Sequence, residues 1–296
     1  EPQFSLFARL DPPTTEALDL ALWMESDRMG HLLPALTEEK FVNQRDVVLN
    51  ERRQNYENRP YGLAGVALSA ALFPPDHPYH WITIGDPDDL RAATLDDVRR
   101  FFETYYHPGN ASLTLAGDVE TARALDLAEQ YFGEIPRGPA NPPVAVARPT
   151  PSDASLLLED RVELPRLYLS WHSPAMFETG DAELDLAADV LAHGKTSRLY
   201  KHLVYERRVA TDVSAYQHSR EMSGVFQVAC TAAAGIALPV LEQAVTEYGF
   251  VGDVNSPWGQ VPPYAYGVHA GPVADLLNEY GIPAKLAKFP FGRGWN

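Results

Sequence analysis

The residues most able to do chemistry lie in one stretch, LTEEKFVNQRDVVLNERRQNYENRPYG, from Leu36 to Gly62. It reads as a long charged helix that carries Glu51 two turns after Gln44. From this helix alone Glu51 reads as a solvent-facing residue among Arg45, Arg52 and Arg53. The histidines do not complete a site. His77 and His80 stand at a spacing that binds metal on a helix, but Pro74, Pro75 and Pro78 argue against a helix there, so a structural role is favoured. His31 falls at a helix end, where it complements the dipole. His107, His172, His193, His202 and His218 are scattered singly. The one cysteine, Cys230, sits in the apolar run VFQVACTAAA and reads as a buried structural thiol.

The elements that would position these residues are legible in outline. Residues 14–33 show an amphipathic helix with Thr14 or Thr15 as cap and Leu18, Leu22 and Met29 near one face, ended by Pro34. Thr37 caps the next helix, which runs to about Asn58, before Arg59-Pro60. Leu63 to Leu72 is apolar all round and predicts a buried helix. Thr94, with Asp96 and Asp97, opens a helix through Tyr106, and another covers Thr121 to Tyr131. Ala111 to Ala116, Leu156 to Leu164, Leu167 to Trp171, Val213 to Tyr216 and Val225 to Cys230 predict strands. Asp181 to Ala192, a run from Ser197, and Leu238 to Thr246 predict helices. Strands and helices alternate without regular βαβ spacing, so a layered α+β fold is expected.

Composition narrows the function classes. The chain has 296 residues and a formal net charge of −16, with 40 acidic against 24 basic residues. That balance argues against a nucleic-acid partner, which needs clustered Lys and Arg. No apolar run approaches the length of a membrane span. Prolines at 136, 139, 142, 143, 149 and 151 mark a linker. Beyond Val251 the character changes, with six prolines and seven glycines in 46 positions.

Several blocks, in order, resemble the bacterial pitrilysin/insulinase-type zinc metallopeptidases, over about residues 15–245. ALDLALWMESDRMGHLL and NQRDVVLNERRQNYENRPYG resemble the two helices around the third metal ligand. HPYHWITIGDPDDLRAATLDDVRRFFETYYHPGNASLTLAGD resembles the end of the first family domain, and LPRLYLSWHSP with HGKTSRLYKHLVYERRVATDVSAYQ the second. The resemblance implies two similar α+β domains, each a mainly antiparallel sheet against helices, closing around a peptide. It divides the chain into 1–135, the C-terminal part of the zinc-binding domain; 136–152, the linker; 153–248, the N-terminal part of the second domain; and 249–296, an unrelated tail that weakly resembles part of a papain-like cysteine peptidase.

In that family the zinc is held by two His of a His-x-x-Glu-His motif and by a later Glu. Glu51 is the one position that carries over as ligand, consistent with catalytic Zn²⁺ taking three protein ligands and a water. No His-x-x-Glu-His occurs here, and counted back from Glu51 it would lie before residue 1. The general base belongs to that motif, so this chain offers no catalytic residue of its own. Gln44 stands where relatives place an acidic supporting residue. Val204 and Thr211 stand where some relatives carry a substrate-anchoring Arg and Tyr.

The resemblance therefore implies a fragment of a zinc metalloendopeptidase that acts on peptides or proteins, with a partner half or subunit of the same family. The alternative is a non-catalytic structural or substrate-binding subunit. A periplasmic or secreted setting is expected.

Overall fold

The computed structural model describes residues 15–141, 143–147, 149–150 and 154–247. Thr14 and the tail from Val251 lie outside them. The elements are α1 (Thr15–Ala35), α2 (Glu38–Arg52), α3 (Ala64–Leu72), α4 (Pro87–Ala92), α5 (Leu95–Tyr105), α6 (Thr121–Phe132), β1 (Arg166–Ser173), α7 (Asp181–Ala192), β2 (Ala210–Ser219), β3 (Gly224–Ala232) and α8 (Leu238–Val245). The fold is mixed α+β. Two compact units form: residues up to Arg53 with Ile84–Ala145, and Gln54–Thr83 with the residues from Val146 on.

The first unit is helical. Thr37 caps α2 by accepting from the Lys40 amide. Thr94 and Asp97 form a reciprocal capping box at the start of α5. The α4 helix was not foreseen, although Asp86 accepts from the Asp88 amide and Pro87 occupies the first helical position. Packing centres on Leu127 of α6, which is fully buried, with Leu22 of α1 buried and Tyr131 of α6 donating to Asp19 of α1 at 3.2 Å. Gly138, at φ +75°, lies against the His107 ring, where a Cβ would come within 2.3 Å of ring carbon.

Two sequence expectations are corrected in this unit. α1 runs one residue past Pro34, because a proline in the last turn forfeits little of the helical ladder. Ala111 to Ala116 forms no strand, since alternation makes a strand only where a neighbour supplies the ladder, and none does among the described residues. Val47 of α2 is exposed, whereas Phe41, Leu49 and Arg52 form the buried face.

The second unit is built on one antiparallel sheet in the order β1-β3-β2. β3 pairs with β1 through Ser170↔Gln227 and with β2 through Tyr216↔Gln227, so those three side chains share one face. The opposite face carries Leu167, Leu169, Trp171, Val213, Phe226, Val228 and Cys230. It packs on Leu184, Ala187 and Ala188 of α7, on Leu199 and Leu203, and on Leu241, Ala244 and Val245 of α8. Being central, β3 is buried along almost its whole length, whereas β2, at an edge, alternates.

Leu156 to Leu164 is not a strand either, and Leu156, Leu157 and Leu158 are exposed. The α3 helix is not buried as its composition suggested: Ala64 alone is fully covered among its residues. Val66, Leu68 and Leu72 of this helix border a cavity and not a packed layer, and stay partly exposed.

Candidate functional site

Glu51 sits on the exposed side of α2, on the same stripe as exposed Gln44 and Val47 at i−7 and i−4. The helix is anchored by its other side. Arg52 is buried and donates to the Gly85 carbonyl at 2.6 Å, and the Arg45 guanidinium lies over the Phe41 ring at 5.5 Å. Arg53 pairs with Asn50 rather than with Glu51. Among the described residues, no group of three His, Cys, Asp or Glu side chains is placed to hold a metal. The described residues therefore do not make a zinc centre by themselves. Glu51 is one carboxylate on a rigid, solvent-facing helix.

His77, His80 and His107 take structural roles. The His77 Nδ1 accepts from the Tyr79 amide at 3.0 Å, capping a short turn, and His80 Nδ1 bonds the Phe73 carbonyl at 2.7 Å. His107 is buried, with Nε2 at 3.1 Å from the Thr104 carbonyl. Val204 packs on the core and Thr211 bonds the Thr231 carbonyl at 3.4 Å, so neither replaces a substrate anchor. Cys230 is buried, and burial pushes its thiol up to about 12. It is a structural thiol and not a nucleophile.

A second constellation, wholly inside the second unit, escaped sequence reading. A cavity of about 450 Å³ lies between α3 with its flanking residues and the outer face of the sheet. Its apolar wall includes Leu68, Leu72, Phe73 and Val225, its aromatic wall Tyr61, Trp81, Tyr168 and Tyr216, and its polar end Gln227, His218 and Arg220. No Asp or Glu lines it.

Phe73, buried to 1% exposure, is the hub of the stack beside this cavity. Its ring meets His77 at 4.7 Å, Tyr79 at 5.5 Å and His172 at 5.1 Å. The Arg220 guanidinium lies 3.6 Å above the Tyr79 ring centroid and 5.4 Å from that of Phe73. The Tyr79 hydroxyl accepts from the Met222 amide at 3.1 Å, which ties the stack to the β2–β3 turn.

Electrostatics here favour neutral histidines. Burial, then the Arg220 charge, hold His77 and His218 below the ordinary histidine value. Burial lowers His172 as well, against a backbone hydrogen bond with Leu72. Burial also pulls Arg220 down from its usual value, with Tyr79 opposing. His77 Nε2, His172 Nδ1 and Arg220 Nε are buried without a hydrogen-bond partner among the described residues.

A family model described as the peptidase M16 inactive domain matches residues 92–248, more than half of the chain. The zinc protease PqqE of Helicobacter pylori is 31% identical over 211 residues, covering 69% of this chain and 46% of that protein. A crystal structure of a protease from Helicobacter pylori superposes with TM-score 0.67 at 27% identity, covering 79% of this chain and 57% of that one. The peptidase M16 inactive domain from Pseudomonas fluorescens superposes with TM-score 0.68 at 20% identity, covering 92% and 67%, which is a likeness of fold. The chain thus spans about half the length of the relatives it matches in this way.

Proposed function

We propose, for a chain that belongs to the M16 family of peptidases, that it is part of a zinc metalloendopeptidase to which it supplies the third metal ligand, Glu51, and a peptide-handling second domain. What supports the reading is membership of the family, together with a carboxylate on a capped, well-anchored helix in the segment whose sequence resembles the family's third-ligand helix. Zinc, when bound, would polarise a water for attack on the peptide bond. Glu51 would contribute one of three protein ligands. The two histidines and the general base would come from elsewhere in the intact enzyme. This chain's own part would be to hold the carboxylate in a fixed direction and to present the second domain to substrate.

The second reading, a non-catalytic structural or substrate-binding subunit, is favoured by one specific observation. The matched model is that of the family's inactive domain. Two measurements separate the readings. In the first, Glu51→Gln in the intact enzyme lowers zinc content by elemental analysis and peptidase activity together, with the circular dichroism spectrum unchanged. Full zinc content in that variant would remove Glu51 from the ligand set. In the second, the chain on its own shows no chelator-sensitive hydrolysis of a peptide. Hydrolysis abolished by Glu51→Gln in this chain would refute the assignment of the other ligands to residues outside it.

A further inference from the structure

Arg220 poses a physical problem. Its guanidinium carries five donors and a permanent charge. Among the described residues it makes no ion pair and no side-chain hydrogen bond, and its contacts are the faces of Tyr79 and Phe73. Stacking on an aromatic ring satisfies the face of a guanidinium and leaves the in-plane donors open. His77 and His218, both held below the ordinary histidine value by burial and then by the Arg220 charge, offer no counter-charge. The chain carries a formal net charge of −16, yet the cavity beside Arg220 has no carboxylate on its walls. A half-buried cation facing a cavity free of acids, in an otherwise acidic protein, is complementary to an anion.

The rest of the cavity narrows the class. Tyr168 and Trp81 give flat aromatic walls, Leu68 gives an apolar floor, and the Gln227 amide is already fixed by Tyr216 and by Ser170 at 2.7 Å. A small inorganic anion would use the guanidinium and leave those walls bare. A ligand with a carboxylate next to a large apolar side chain would use both.

We propose that this cavity is a carboxylate-recognition subsite for peptides, in which Arg220 takes the carboxylate as a charge-assisted pair and the aromatic wall takes the neighbouring apolar side chain. The choice of a peptide rests on the peptidase reading above. The carboxylate has two sources, a peptide's C-terminus or an acidic side chain.

The test uses the full chain with chelator present, so that zinc and Glu51 play no part. Three probes are titrated by calorimetry and by Trp81 fluorescence: acetyl-Leu-Phe with a free C-terminus, the same dipeptide as its amide, and acetyl-Glu-Phe-amide. The subsite predicts that at least one carboxylate probe binds about tenfold or more tightly than acetyl-Leu-Phe-amide. Binding of the free acid alone assigns the C-terminus, and binding of the Glu probe assigns an acidic side chain. Arg220→Gln should abolish the preference over the amide, and Arg220→Lys should restore part of it. Should Arg220→Gln misfold, Ser69→Phe fills the cavity from α3 without touching the arginine and should block the probes. Equal binding of all three probes, no binding of any, or an unchanged preference in Arg220→Gln would overturn the proposal. None of these outcomes bears on whether Glu51 binds zinc, and loss of the zinc assignment would leave the probe preferences intact.

Discussion

The two faces of the sheet in the second unit are made of alternate residues of the same three strands, and they differ in almost every respect. The inner face presents Leu167, Leu169, Trp171, Val213, Phe226, Val228 and Cys230 to α7, to α8 and to Leu199 and Leu203, and forms a continuous apolar core. The outer face presents Tyr168, Ser170, His172, Tyr216, His218 and Gln227, and with α3 it lines an open cavity of about 450 Å³ in place of a packed layer. Period-two alternation thus separates tasks within one element. Apolar burial on one side stabilises the sheet. That frees the other side to hold polar groups, including an unpaired guanidinium, that would be too costly in a core.

The largest expected effect tests that division directly. Phe226, 1% exposed, has no room to be replaced on the inner face. Phe226→Ala should cost about 3–5 kcal/mol in urea unfolding. His218→Ala, an exposed change on the outer face, should stay within about 0.5 kcal/mol. Comparable losses from both would show that the outer face carries stability too.

The second expectation concerns accessibility. Cys230 is buried on the inner face with its thiol pushed up to about 12, first by burial and then by Asp212. Alkylation at mildly alkaline pH should be slower by orders of magnitude in the native protein than in denaturant. Rapid native labelling would mean that the inner face opens.

The third uses pH. His77 and His172 are held below the ordinary value of 6.5, chiefly by burial, so the unfolded chain binds protons that the folded chain resists. The stability these groups contribute is present above pH 6.5 and declines as pH falls through that value towards their folded values. The fall in unfolding free energy between about pH 7.5 and about pH 5.5 should therefore be smaller in His172→Phe than in the wild type. An unchanged fall would remove His172 from the group of neutral histidines.

How much of this was legible in the sequence depended on locality. The α7 boundaries, Asp181–Ala192, and the Thr94 cap of α5 follow from residues within one or two turns of each other, and they read correctly. Leu156 to Leu164 and Ala111 to Ala116 carry strand-like composition, yet a strand also needs a partner ladder, which composition cannot report. The apolar composition of α3 suggested burial, because composition cannot report that a helix borders a cavity. The cavity was invisible for a further reason. Tyr79 and Arg220 meet across more than a hundred residues, and each is unremarkable in its own segment. Glu51 was singled out through resemblance, since the helix itself offers an exposed carboxylate and nothing more. Outer-face positions such as Tyr216 and His218 did show the alternation, but nothing local said that their side would line a cavity.

The smallest expected effect sharpens the comparison within the outer face itself. Tyr216 is half exposed, so removing its hydroxyl should matter little by area. Its hydroxyl nevertheless donates to the Gln227 carboxamide oxygen, and Gln227 is only 7% exposed in the middle of β3. Tyr216→Phe leaves the ring in place and strips the acceptor of its donor. The cost is then the desolvation of a buried oxygen, on the order of 1 kcal/mol, and not the loss of a surface contact. Gln227→Leu combined with Tyr216→Phe removes both polar partners and should recover part of that loss. Non-additivity of this sign, read from a double-mutant cycle in urea, would show that the polar groups of the outer face are coupled as a network. Simple additivity would reduce them to independent surface residues, and the contrast between the faces would then rest on the inner core alone.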